Sequence, residues 1–85
     1  MIRQTEMISK GFTFGTILQS TKQGDCPFTI RMGENKKDYY YFDPINLKEA
    51  YKKNGMEVFF IYRALRMMNR CAKANPIEVE EMESN

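Results

Sequence analysis

The chain contains no histidine and no tryptophan, and it has only two cysteines and three prolines. Without histidine there is no side chain poised near neutral pH for general base work, and no imidazole to ligate a metal. No glycine-rich phosphate loop occurs, and no hydroxyl or thiol stands beside a base, so no residue is assigned a catalytic role and no enzyme activity is expected. Asp25 next to Cys26 disfavours the thiolate that a reactive cysteine requires. The two cysteines lie far apart and match no zinc spacing, so neither a metal nor a cofactor is expected. No apolar run approaches the ~20 residues that span a bilayer, and residues 1–10 lack the apolar core of a secretory signal. As written the sequence reads as cytoplasmic; if a leader was removed, it reads as exported to the periplasm or beyond.

What is present is aromatic and charged. Eleven aromatics, six Phe and five Tyr, in 85 residues favour strands, because such side chains pack well on a pleated surface. A chain this short makes one domain with a thin core. The net charge of +2 conceals a segregation. All 13 Lys and Arg precede residue 76, whereas Glu78, Glu80, Glu81 and Glu83 crowd the C-terminus. The body is therefore basic and attracts anionic partners, and the acidic end competes for the same surface.

Residues 1–10 show no sustained period and read as a flexible N-terminal arm. A first strand spans 12–19, where the apolar pattern moves from Phe12 and Phe14 to Ile17 with Gly15 between, which suggests a bulge or bend. Residues 26–32 alternate cleanly, with Phe28, Ile30 and Met32 on one face and Thr29 and Arg31 on the other. Residues 33–37 read as a hairpin connection, and Tyr39, Tyr40, Tyr41 and Phe42 as a third strand with aromatics on both faces. A short helix follows, with Asn46 as N-cap, Glu49 completing a capping box, Ile45 and Ala50 as a staple, and Gly55 as the stop. Residues 56–66 form the strongest strand, apolar on both faces. A long loop then leads to a last strand opening at Pro76, and residues 81–85 are expected to fray as an acidic tail.

The order β-β-β-α-β-β is expected to give a mainly β domain over residues 11–80. It fits a small five-stranded OB-like barrel with one short α-helix between strands three and four. An SH3-like barrel competes but lacks a capped helix before its fourth strand.

Several short stretches carry a family resemblance: Gly15-Thr16-Ile17, Cys26-Pro27-Phe28-Thr29-Ile30, Pro44-Ile45-Asn46-Leu47, residues 55–62 (Gly-Met-Glu-Val-Phe-Phe-Ile-Tyr), Cys71 and Pro76-Ile77. Together they resemble a family of small uncharacterised proteins of Bacteroidetes, often lipoproteins, with an OB-like barrel and a cysteine in each of two matching places. The resemblance spans most of residues 11–80. It implies the fold, and often export, but no activity.

The residues of interest fall in three groups. In an OB barrel the loop before the second strand and the loop after the fourth lie on one side, so Cys26 and Cys71 come within disulfide reach. In an oxidising compartment they pair; in the cytoplasm they are two small buried apolar groups. Lys22, Arg31, Tyr40, Arg63, Arg66, Arg70 and Lys73 would form a surface for single-stranded nucleic acid, with bases stacked on an aromatic and phosphates tracked by cations. Phe59, Ile61, Met67 and Met68 would form an apolar patch for a protein partner, such as a second copy of the chain, unless the N-terminal arm folds over it. Asp38, Asp43 and Glu49 are assigned to turn and cap chemistry. The leading functional expectation is a binding or interaction module that contacts protein, with nucleic acid as the alternative.

Overall fold

The computed structural model describes residues 2–33, 39–71 and 74–85. A helix, α1 (Ile2–Ser9), precedes five strands: β1 (Thr13–Gln19), β2 (Phe28–Met32), β3 (Tyr40–Pro44), β4 (Glu57–Ala64) and β5 (Asn75–Ser84). The strands close into a barrel in the order β1-β2-β3-β5-β4, with β4 returning to β1. Neighbours run antiparallel except β3 and β5, which are parallel. This is the small, mainly β, closed five-stranded barrel expected from the sequence.

The interior follows the alternation. Ile17, Ile30, Met32, Val58, Phe60 and Ile77 form the buried cluster, and Phe28, Phe42, Tyr62 and Val79 pack around it. Two of these aromatics stack on Tyr62, with ring centroids 4.6 Å away for Phe42 and 5.6 Å for Phe60. β1 must serve two neighbours, and Thr16 pairs with Arg31 of β2 on one side and Glu57 of β4 on the other. Both ladders are regular, so the pattern slip at Gly15 is not a bulge. Phe14 instead faces outward against Phe59, at 5.3 Å, while Ile17 faces inward. Gly15 is there for space: a Cβ would lie 2.5 Å from Ile30 Cγ2 and 3.1 Å from Phe60. The shift of register falls in β5, where Ile61 pairs with Glu81 but Tyr62 with Val79, leaving Glu80 as the extra residue.

Three expectations are corrected. The N-terminal arm is the helix α1, not a loose segment. It ends with Gly11 at φ +93°, where Gly11 N–H donates to the Ile8 carbonyl and Phe12 N–H to Met7, the bonding of a Schellman cap. α1 docks on β1, and Met7 is buried. The helix after the third strand is only a 3₁₀ turn, Glu49–Tyr51. Asn46 does not cap it, because its side-chain amide donates to the Val79 carbonyl at 2.9 Å and accepts from the Val79 N–H at 2.8 Å. Leu47 and Tyr51 still close the barrel end, and Tyr51 Oη donates to the Met82 carbonyl. Lastly, residues 81–84 do not fray but continue β5, paired from Ser84↔Val58 to Glu81↔Ile61. Pairing with the most apolar strand overrides the poor strand propensity of the glutamates.

The close approach at Gly15 makes a test of this packing. Gly15→Ala should lower stability by about 1–3 kcal/mol in urea unfolding, the usual effect of overfilling a packed interior.

Candidate functional site

Two loops meet on the outer side of β3, and covalent chemistry joins them. Cys26, at the end of the β1–β2 loop, and Cys71, in the β4–β5 loop, form a disulfide with Cα atoms 5.4 Å apart. Both sulfurs are buried, and with Ala74 they make a small second core on which Tyr41 packs. The β1–β2 loop is itself tied: Ser20 N–H donates to the Pro27 carbonyl, and Ser20 Oγ to Asp25 at 3.0 Å.

Beside this bond lies a charged one. Asp43 of β3 is fully buried, and Arg70 reaches it with Nε to Oδ2 and Nη2 to Oδ1, both at 2.6 Å. These hydrogen bonds raise the Arg70 pKa above its ordinary value; burial opposes the rise, and the carboxylate's charge adds to it. Asp43 is thus neither a turn nor a cap residue but the anchor of the β4–β5 loop. Arg70 sits next to Cys71, so the loop is pinned at two consecutive positions.

The expected basic surface is largely dispersed. Arg70 is bonded to Asp43, and Arg63 donates to Glu78 at 2.8 Å on the outside of the β4–β5 pair. Arg31 lies over the Tyr39 ring, 4.4 Å from its centroid. Lys22 and Arg66 are exposed in separate loops, Tyr40 is 66% exposed at a barrel end, and Lys73 lies outside the described residues. The three tyrosines expected on the third strand divide their duties: Tyr39, just ahead of β3, takes Arg31, Tyr40 faces water and Tyr41 packs on the disulfide core.

The expected apolar patch is also broken up. Phe59 has no exposure, and Phe14 lies against it from β1, the strand on which α1 docks. Ile61 is half-buried. Only Met67, 46% exposed, and Met68, 90% exposed, remain in water, on the pinned loop.

Sequence reasoning missed Asp43, Asn46 and Tyr51 as tertiary anchors. The signal for Asp43 was visible: an acid inside the run Tyr-Tyr-Phe-Asp-Pro-Ile, where flanking aromatics imply burial and burial requires a cation. Among the described residues, no helix is long and apolar enough to cross a membrane, and no group of three or more acidic, Cys or His side chains gathers to hold a metal.

Both anchors can be tested by unfolding. Reduction of the Cys26–Cys71 bond, or Cys26→Ala with Cys71→Ala, should cost about 2–4 kcal/mol, seen as a lower melting temperature in dithiothreitol. Arg70→Ala strands a buried carboxylate and should cost about 2–4 kcal/mol. Adding Asp43→Ala to that variant removes the stranded charge, and the double variant should be more stable than Arg70→Ala alone.

Compared with known protein families, with curated proteins and with solved structures, the chain shows no match. Its functional reading therefore rests on its own residues.

Proposed function

We propose that this protein is a small binding module without catalytic activity of its own. Its contact surface is the β4–β5 loop, and its partner is a protein, in the simplest case a second copy of the chain. The observation that carries this reading is the pair Met67 and Met68, held in water on a loop pinned at Arg70 and Cys71. Large apolar side chains on an exposed surface favour association, and flexible thioethers adapt to the shape they meet. A loop already ordered by a disulfide and an ion pair loses little entropy on binding. OB barrels use the β1–β2 and β4–β5 loops for recognition, and here those loops are joined.

Single-stranded nucleic acid is the weaker reading. Arg31 over Tyr39, the exposed Tyr40, and the cations Lys22 and Arg66 support it. Against it, Arg63 already directs its charge at Glu78, Arg70 is fixed in one orientation by Asp43, and tracking a phosphate backbone needs a row of cations on one outward face. The buried disulfide supports an oxidising compartment and hence an exported protein rather than a cytoplasmic one. The family resemblance points the same way.

Sedimentation velocity across a concentration series tests the homotypic version. The wild-type mass should rise with concentration, and Met68→Asp should stay monomeric at every concentration. A strict monomer for both proteins defeats self-association through this loop.

A further inference from the structure

A cleft of 260 Å³ opens where the barrel end meets the pinned loop. Phe28 opens β2, Pro44 closes β3, Ile45 and Leu47 follow it, and Lys52 and Arg70 complete the lining with Pro27. No acidic side chain lines it. The floor is apolar and partly anchored in the core, since Phe28 and Leu47 pack on the interior cluster. Ile45 is a large apolar side chain left 39% exposed at the mouth.

We propose that this cleft binds a small apolar carboxylic acid, its carboxylate held by Lys52 and Arg70 and its body resting on Phe28, Pro44 and Leu47. The two cations are set differently. Asp43 fixes the Arg70 guanidinium through two of its N–H donors, and a guanidinium carries five, so the group is oriented and keeps donors for an anion. Lys52 pairs with Glu49 at 3.0 Å, but that carboxylate is 89% exposed, and a surface pair of this kind yields readily to a better-placed anion. Asp43 and Glu49 balance the two cations formally. An anion gains only by displacing the exposed Glu49 from Lys52 and using the free donors of Arg70, so the cleft suits one negative charge rather than two. Its volume suits a compact acid and is too small for a nucleotide. The acid is either a free molecule or the C-terminal residue of a chain. Neither Met67 nor Met68 lines the cleft, which shares only Arg70 with the loop proposed as the protein contact.

Phenylacetate is the probe, titrated into the ¹⁵N-labelled protein with the disulfide intact. Saturable shifts are expected at the amides of Phe28, Ile45, Leu47 and Lys52, with a Kd on the order of 1 mM for a ligand of this size. Phenylacetamide, the same shape without the charge, should bind at least ~10-fold more weakly, the factor expected for losing a charged contact. Lys52→Gln, on a residue outside the fold's anchors, should weaken phenylacetate about 3–10-fold while the rest of its spectrum superposes on the wild type. An acetylated tripeptide ending in a free Phe carboxylate, run beside its amide, identifies the source. Tighter binding of the peptide acid assigns a chain terminus, and binding of phenylacetate alone assigns a free acid. Absence of saturable shifts at these amides, or equal binding of phenylacetamide, overturns the proposal.

Discussion

The parallel seam between β3 and β5 is short, and the rest of the molecule is arranged around that shortness. Only Phe42, Asp43 and Pro44 pair with Asn75, Pro76 and Ile77, whereas β4 and β5 run together along most of their length. Past Ile77 the β3 side of β5 would present a bare strand edge, which invites pairing with other chains. The β3–β4 connection covers it. Ile45 N–H donates to the Ile77 carbonyl, Asn46 uses its side-chain amide to make both bonds a neighbouring strand would make at Val79, and Tyr51 Oη reaches Met82. A helix over residues 46–52 would have taken Asn46 for its own cap; the edge needs it more, and one 3₁₀ turn is what remains.

The outer side of the same seam explains the surface. Asp43 lies at its centre, opposite Pro76, and a buried carboxylate there requires a cation. Arg70 supplies one from the β4–β5 loop, and Cys71, the next residue, continues into the disulfide and the small core over Tyr41. One cation that would otherwise join a basic face is thus drawn inward to hold the seam. What the loop still shows to water includes Met67 and Met68, set between Arg66 and Asn69, so an apolar pair is left exposed among polar neighbours.

The elements governed by local pattern were legible, and those governed by distant partners were not. The alternation of Phe28, Ile30 and Met32 and the aromatic run through Phe42 reported both face and strand, because one side of each lies in the barrel interior. The convergence of Cys26 and Cys71 followed once the order of elements fixed where the two loops end. Asp43 and Asn46 were misassigned because their partners stand 27 and 33 residues away, and an acid or an amide in a turn-like context looks the same locally whether it caps or anchors. α1 carried one clear sign, Gly11 after Lys10, but its eight residues give an apolar face only about two turns in which to repeat. The strand through Glu80, Glu81 and Glu83 is dictated by β4, not by its own residues.

The same constraint bears on how the molecule can bind. A mouth formed by loops is ordinarily mobile, and ordering it on contact subtracts from affinity. Here the three segments that line the cleft are each fixed for reasons unrelated to any ligand. Cys26 holds the approach to Phe28, the seam holds Pro44 and Ile45, and Asp43 holds Arg70. In the proposed complex the guanidinium therefore needs no reorientation, and the free energy of the contact is not spent on ordering the site. The disulfide matters twice in that argument. It keeps Arg70 over Asp43 by fixing the next residue, and it keeps the β1–β2 loop against the cleft wall. Reduction would thus loosen the cleft and the methionine loop together, because Arg70 lines the one, lies on the other, and is held beside Cys71.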